Sequence, residues 1–244
     1  MPIFPHPFKR FLRRIEPSPI REMRLNRAVS RSRETFSSLP IEQTFDKIYE
    51  ANHWGGGRGD FCSGSGSADT FAEPYCELVR AFIAQHELKT VVDLGCGDFR
   101  VGRKICSPSI RYLGVDIVSS LTQRLNSVFG SEKTAFHQLN IVTQAPPDGD
   151  LCLIRQVLQH LSNSEIAQVL RNVQKYAYAI ITEHVPVFPE RVNLDKPHGP
   201  DIRIYKHSGV FLDEVPFSLK VETLLEVPVG RDEVLRTVLW RPRL

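Results

Sequence analysis

The chain has 244 residues, 41% hydrophobic and 24% charged, with a formal net charge of +3. That length suits one catalytic-sized domain with a short arm, and the composition excludes a fibre or a disordered chain. The longest apolar stretches, such as Ala177–Thr182, fall far short of the about 20 residues of a spanning helix, no secretory signal opens the sequence, and the five cysteines form no CxxC pair. The expectation is a reduced, soluble, cytoplasmic protein without a zinc site.

Charge is unevenly placed. Residues 1–33 hold nine Lys or Arg against Glu16 and Glu22, a net of +7 that leaves −4 for the remainder. With Phe4, Phe8, Phe11, Leu12 and Ile15 interleaved, this arm suits an anionic membrane surface, nucleic-acid phosphates, an Arg-rich targeting signal, or a solvated or partner-bound extension interrupted by Pro17 and Pro19. Residues 1–40 therefore read as a basic arm and 41–244 as one domain without internal repeats.

Within that domain Ile41–Trp54 has helical apolar spacing at Phe45, Ile48 and Tyr49, and a Gly/Ser-rich loop follows from Gly55 to Ser67. Asp69 and Thr70 can cap a helix whose apolar face is Phe71, Tyr75, Leu78, Val79 and Phe82. Buried-strand runs then fall at Thr90–Leu94, Tyr112–Ile117, Ala135–Ile141, Asp150–Arg155 and Tyr178–Thr182, with a helix over Ser164–Tyr176. A Pro-rich loop spans Pro186–Pro200. Two last strands, Leu219–Val227 and Glu233–Arg241, flank a Gly-containing turn. Alternating strands and helices predict an α/β, doubly wound, mostly parallel sheet ending in an antiparallel hairpin.

The most informative run is Val91-Val92-Asp93-Leu94-Gly95-Cys96-Gly97-Asp98-Phe99. Glycines let the backbone pass close to a ligand at the carboxyl edge of a parallel sheet. The nearby acids suit a cationic group better than a pyrophosphate, and Arg100 stands where a dinucleotide fingerprint needs its third glycine. The second strand ends in Gly114-Val115-Asp116-Ile117, and a carboxylate there can accept both hydrogens of a ribose diol. Taken singly, Asp93 reads equally as a buried structural acid and Gly95–Gly97 as a tight turn.

In order and at this spacing, VVDLGCGDF followed by YLGVDI resembles motifs one and two of the class I S-adenosylmethionine-dependent methyltransferases, over roughly residues 43–240. The resemblance implies seven strands, six parallel and the last antiparallel. It implies S-adenosylmethionine as cofactor, with Gly95 and Gly97 near its methionine end, Asp93 organising that loop, and Asp116 on the ribose. It further implies Ile117 against the adenine, and Asn140 and Ile141 at the adenine edge. Arg155 would close the fourth strand beside the cofactor; Asn140 stands where many members carry Asp.

Further residues resemble a bacterial small-molecule or glycan-pathway subgroup. Trp54-Gly55 and Ser63–Ser67 look like its pre-motif segment, which implies a lid whose Ser65 region meets the cofactor carboxylate and whose Trp54 covers the sulfonium; a flexible linker is the alternative. Arg155-Gln156-Val157-Leu158-Gln159-His160-Leu161 matches a pattern usually carrying Asp where Gln156 stands. His160 is then the natural general base, with Glu183 and Asp195 in reserve, against a histidine that only packs or caps. His184, Asn193 and Arg203 are the expected acceptor-binding residues, against a solvated loop. These implications favour methyl transfer to a small-molecule or sugar-containing acceptor, at oxygen. The competing readings are an RNA or protein methyltransferase using the arm, a non-catalytic cofactor-binding protein, and a nicotinamide oxidoreductase. No stable nucleic-acid complex is expected, since the acidic remainder lacks interleaved aromatic and basic residues.

Overall fold

The structure, a computed structural model, describes residues 35–36, 38–57 and 60–243. The basic arm, with the membrane, nucleic-acid or protein contacts expected of residues 1–33, lies outside the described residues. Phe36 and Leu39, on the arm's side of the expected boundary, already pack on the domain. Phe36 is buried, and the Leu39 carbonyl oxygen lies 3.0 Å from the His198 ring.

The strands are β1 (Thr90–Leu94), β2 (Arg111–Asp116), β3 (Thr134–Gln138), β4 (Leu151–Arg155), β5 (Tyr178–Pro186), β6 (Val221–Pro228) and β7 (Glu233–Trp240). They form a single sheet in the order β3-β2-β1-β4-β5-β7-β6. β1 to β5 pair in parallel, and β7 runs antiparallel to both β5 and β6. Six strands therefore share one direction, and the sheet has the expected doubly wound form.

The helices are α1 (Ile41–Glu50), α2 (Asp69–Gln85), α3 (Gly102–Ile105), α4 (Ser119–Phe129) and α5 (Asn163–Val173). Strand alternation divides the core in two. Val91, Tyr112, Phe136, Leu153 and Ile180 face the side covered by α2 and α4, whereas Val92, Leu113, Cys152, Ile154 and Ile181 face α5. Each such fully buried aliphatic side chain contributes about 1.5–3 kcal/mol. The period-2 pattern thus requires helices on both faces.

Several boundaries shift for local reasons. α1 stops at Glu50 rather than Trp54, because residues 51–54 turn to bring Trp54 back over the sheet. β3 ends at Gln138 because its partner β2 ends at Asp116. Beyond it, the Asn140 side chain accepts from Val142 N at 3.0 Å and opens a turn. β5 extends to Pro186 because β7 pairs along it as far as Pro186↔Glu233. Asp69 does not cap α2; it sits in the first turn and pairs with Lys104 at 2.9 Å. α5 begins with a capping box, Ser162 accepting from Glu165 N and Glu165 reaching back to Ser162 N. α3 and α4 lie where the patterning assigned no helix.

Candidate functional site

The turn after β1 is built from short-range constraints. Val115 O accepts from Gly95 N at 2.7 Å and Cys96 N at 3.0 Å. Gly95 and Gly97 adopt φ of +76° and +54°. A Cβ would lie 2.4 Å from a Val157 methyl at Gly95 and 2.1 Å from Ser63 Oγ at Gly97, so no other residue fits without displacement. Asp116 Oδ2 accepts from Gly97 N and Oδ1 from Val118 N, each at 3.1 Å. Asp93 is braced elsewhere, its Oδ2 accepting from Tyr112 OH at 2.5 Å. Burial raises both carboxyls to about 6, against backbone donors at Asp116 and the tyrosine hydroxyl at Asp93, which pull the other way.

α1 and the Gly/Ser loop cover this edge of the sheet. Ser63 N donates to Asp98 Oδ2 at 3.1 Å while Asp98 N donates to Ser63 Oγ at 2.7 Å, a reciprocal clasp on the β1 turn. Arg155 Nη2 donates to Gly66 O at 2.8 Å, with its guanidinium over the Tyr75 ring. Asn140 Nδ2 donates to Glu42 Oε1 on α1 at 2.6 Å. Trp54 packs edge-on against Tyr49 and lies 5.1 Å from the His160 ring. His198 joins three segments, with Nδ1 2.6 Å from Glu165 Oε1 and Nε2 3.0 Å from Leu39 O. The loop is bonded to the domain at several points, as no freely jointed linker would be.

Between cover and sheet lies a cavity of about 410 Å³. Trp54, Ser65, Asp93, Gly95, Gly97, Asp116, Ile117, Asn140, Ile141 and Arg155 all line it. It extends from the β1–β3 edge past the ends of β4, β5 and β7, where His160 and His184 also reach its wall. The sheet order reverses between β1 and β4, the place where open α/β sheets bind ligands.

His160 has a defined tautomer. Its Nδ1 lies 3.1 Å from Gly199 O, which can only accept, so the proton sits on Nδ1 and Nε2 is an acceptor, met by Gln159 Nε2 at 3.4 Å. Burial, then the nearby Lys196 charge, lower its pKa to about 3, so the ring is neutral. His184 Nε2 lies 2.9 Å from Glu233 Oε2 without hydrogen-bond geometry, and burial outweighs that carboxylate to lower its pKa as well.

Four expected residues are absent from the cavity wall, each because its polar groups are used by backbone. Glu183 accepts from the N–H groups of Val157, Leu158 and Gln159 at 3.2, 2.9 and 3.0 Å, holding the 3₁₀ turn Leu158–His160. Burial pushes its carboxyl up to about 7, against those three donors. Asp195 Oδ1 accepts from Asn163 N and Lys196 N. Asn193 brackets Phe211, donating to its carbonyl and accepting from its N–H, each at 2.8 Å. Arg203, only 2% exposed, donates to Leu194 O, Gln159 O, Leu161 O and Asn163 Oδ1.

Other wall residues stood in segments the sequence singled out but were assigned no site role. Tyr49, Ser63, Gln156 and Gln159 line the cavity. Gln156 has a φ of +57°, unusual for a side chain of its size, and its amide presses on Gly66. Three buried nitrogens among the described residues lack a hydrogen-bond partner, Arg155 Nε, Gln156 Nε2 and His184 Nε2, and all belong to residues of this wall. Unsatisfied buried nitrogens are uncommon, and all three lie on residues of this one wall.

No protein-family model matches the chain, and no curated protein matches it either. Solved structures do. Magnesium protoporphyrin IX methyltransferase (ChlM) from Synechocystis PCC 6803, with bound SAM, is 14% identical at a TM-score of 0.53 over 84% of this chain and 99% of that one. The N-methyltransferase NodS from Bradyrhizobium japonicum WM9, in complex with S-adenosyl-L-homocysteine, is 13% identical at 0.53, over 71% and 88%. The N-terminal domain of EvdMO1, in the presence of SAH and D-fucose, is 14% identical at 0.51, over 74% and 85%. Full-length EvdMO1 is matched over 48% of its length. The chain has the fold of the class I S-adenosylmethionine-dependent methyltransferases.

Proposed function

We propose that this chain binds S-adenosylmethionine and transfers its methyl group to a small-molecule or sugar-containing acceptor, at oxygen. The observation that carries the reading is convergence. The ten residues assigned to the cofactor from the sequence come from six separated segments, yet all line one cavity at the reversal of strand order. The wall also fits the cofactor's chemistry. Asp93, Asp98 and Asp116 face Arg155 alone as a formal cation among the described lining residues, a balance suited to a sulfonium and an ammonium rather than a pyrophosphate.

When bound, S-adenosylmethionine supplies an electrophilic methyl group on a positively charged sulfur. Asp116 would hold the ribose diol, since each carboxylate oxygen spends one lone pair on a backbone N–H and keeps another. Arg155 Nε and Gln156 Nε2 are free donors for an amino-acid carboxylate, with Ser65 and its loop closing over them. Ile117 and Ile141 would flank the adenine. Asn140 is already bonded through both amide atoms, so it would shape the adenine edge while tying α1 down. Trp54 supplies an aromatic face for the sulfonium.

His160 Nε2 would accept a hydrogen bond from the acceptor hydroxyl in place of its long 3.4 Å contact with Gln159 Nε2, with Gly199 fixing the ring from behind. A ring whose pKa is about 3 is a weak proton acceptor, so orientation is its larger contribution. Calorimetric titration with S-adenosylmethionine and S-adenosylhomocysteine, with NAD as control, tests the reading. Micromolar binding of the first two and none of NAD is expected; absence of heat with both would refute it.

A further inference from the structure

The cavity has two chemically distinct ends. The formal charges on its wall sit towards β1–β3, where Asp93, Asp98 and Asp116 gather, and at Arg155, which is tied to Gly66 and stacked on Tyr75. Beyond Arg155 the described lining includes Gln156, Gln159, His160, His184, Ile202 and Leu235, with no Asp, Glu, Lys or Arg among the residues of that end. The charged groups nearest in sequence are engaged elsewhere. Glu183 is held by three backbone N–H groups, Arg203 by four oxygens and Arg236 by Glu226, while Glu233 lies 2.9 Å from His184 Nε2.

We infer that the portion of the acceptor entering the β4, β5 and β7 end is an uncharged, hydroxyl-bearing ring, such as a neutral sugar or an aromatic alcohol. This rests on the proposed cofactor reading, which fills the other end. A phosphate or carboxylate buried here would lose hydration without meeting a cation on the wall, and an ammonium would find the nearby carboxylate, Glu233, already 2.9 Å from His184 Nε2. A hydroxyl meets partners suited to it. The Gln159 amide can both donate and accept, and His160 Nε2 is an acceptor in the tautomer fixed by Gly199; the two meet only in a long 3.4 Å contact that a hydroxyl can replace. Trp54, Ile202 and Leu235 add apolar surface for the face of a ring. The lowered pKa values of His160 and His184 keep both rings neutral, so neither supplies a counter-charge.

The test uses the full chain saturated with S-adenosylhomocysteine and three probes sharing one ring: benzyl alcohol, benzoate and benzylammonium, followed by saturation-transfer NMR. Benzyl alcohol is expected to bind at least about ten-fold more tightly than either ion. In Ile202→Lys, which puts an ammonium on this wall, benzoate should overtake the alcohol, with S-adenosylhomocysteine affinity as the control for folding. Equal or tighter binding of an ion to the unaltered chain overturns the inference. So does silence from all three probes, or an unchanged order in a folded Ile202→Lys. Failure to bind S-adenosylhomocysteine at all would strike instead at the cofactor reading.

Discussion

The two ends of the cavity are built by different means. At the β1–β3 end, the chain itself sets the geometry within a few residues: two positive-φ glycines, a strand-end carboxylate, and a turn pinned to Val115 O. At the β5–β7 end, the wall is assembled from the Leu158–His160 turn, the loop through Gly199 and Ile202, and the start of β7, held by buried polar side chains acting on distant backbone. Polar residues around the cavity are therefore of two kinds, those facing its interior and those that hold the loop. Arg203 and Asn193 are the second kind, Gln156 and His160 the first.

The largest effect that separates the two ends should come from Arg203→Ala. Losing donors to four oxygens should lower stability by about 3 kcal/mol, read by urea unfolding, with S-adenosylhomocysteine affinity little changed in the folded fraction. Asp116→Ala is the mirror case. Cofactor affinity should fall about 30- to 100-fold by calorimetry, since a buried acceptor of ligand hydroxyls is removed. An Arg203→Ala variant of normal stability that fails to turn over would break the comparison and return Arg203 to the acceptor site.

A smaller effect concerns pH. Glu165 and its own burial raise and lower His198 respectively, and the bond wins, so His198 titrates above its usual 6.5. Glu165 titrates below its usual 4.5, burial being outweighed by the bonds from His198 and Ser162. The stabilisation from His198 is complete below 6.5 and lost as pH rises through its raised native value. That from Glu165 is complete above 4.5 and lost as pH falls through its lowered native value. Tm should therefore decline on either side of the window from 4.5 to 6.5, and His198→Gln should flatten the alkaline side in a thermal melt. Smallest of all, deleting residues 1–33 should leave cofactor affinity unchanged by calorimetry. A large loss would mean that the segment reaches the cavity.

Legibility in the sequence followed the same division. Val91–Gly97 and Gly114–Ile117 expose strand, turn and acid in one short window, so both the fold and that end of the cavity wall could be read from them. Glu183, Asp195, Asn193 and Arg203 have the residue types of catalysis and binding, but their partners are carbonyls and N–H groups, which no sequence pattern displays. α4 escaped because its polar face is rich in Ser, Gln and Asn and its buried stripe is only Leu121, Thr122 and Leu125. The role of Gln156 depends on a positive φ at the end of β4, a property of the folded backbone.

The contact between Trp54 and His160 has a use outside chemistry. The chain's two tryptophans are Trp54 and Trp240, and Trp240 is buried in the α5-side core, away from the cavity wall. Replacing Trp240 by Phe would leave one indole in the protein, lodged in the cover, 5.1 Å from an imidazole. Its emission would then be a built-in optical gauge of the roof, able to time its movements at millisecond resolution without any attached dye.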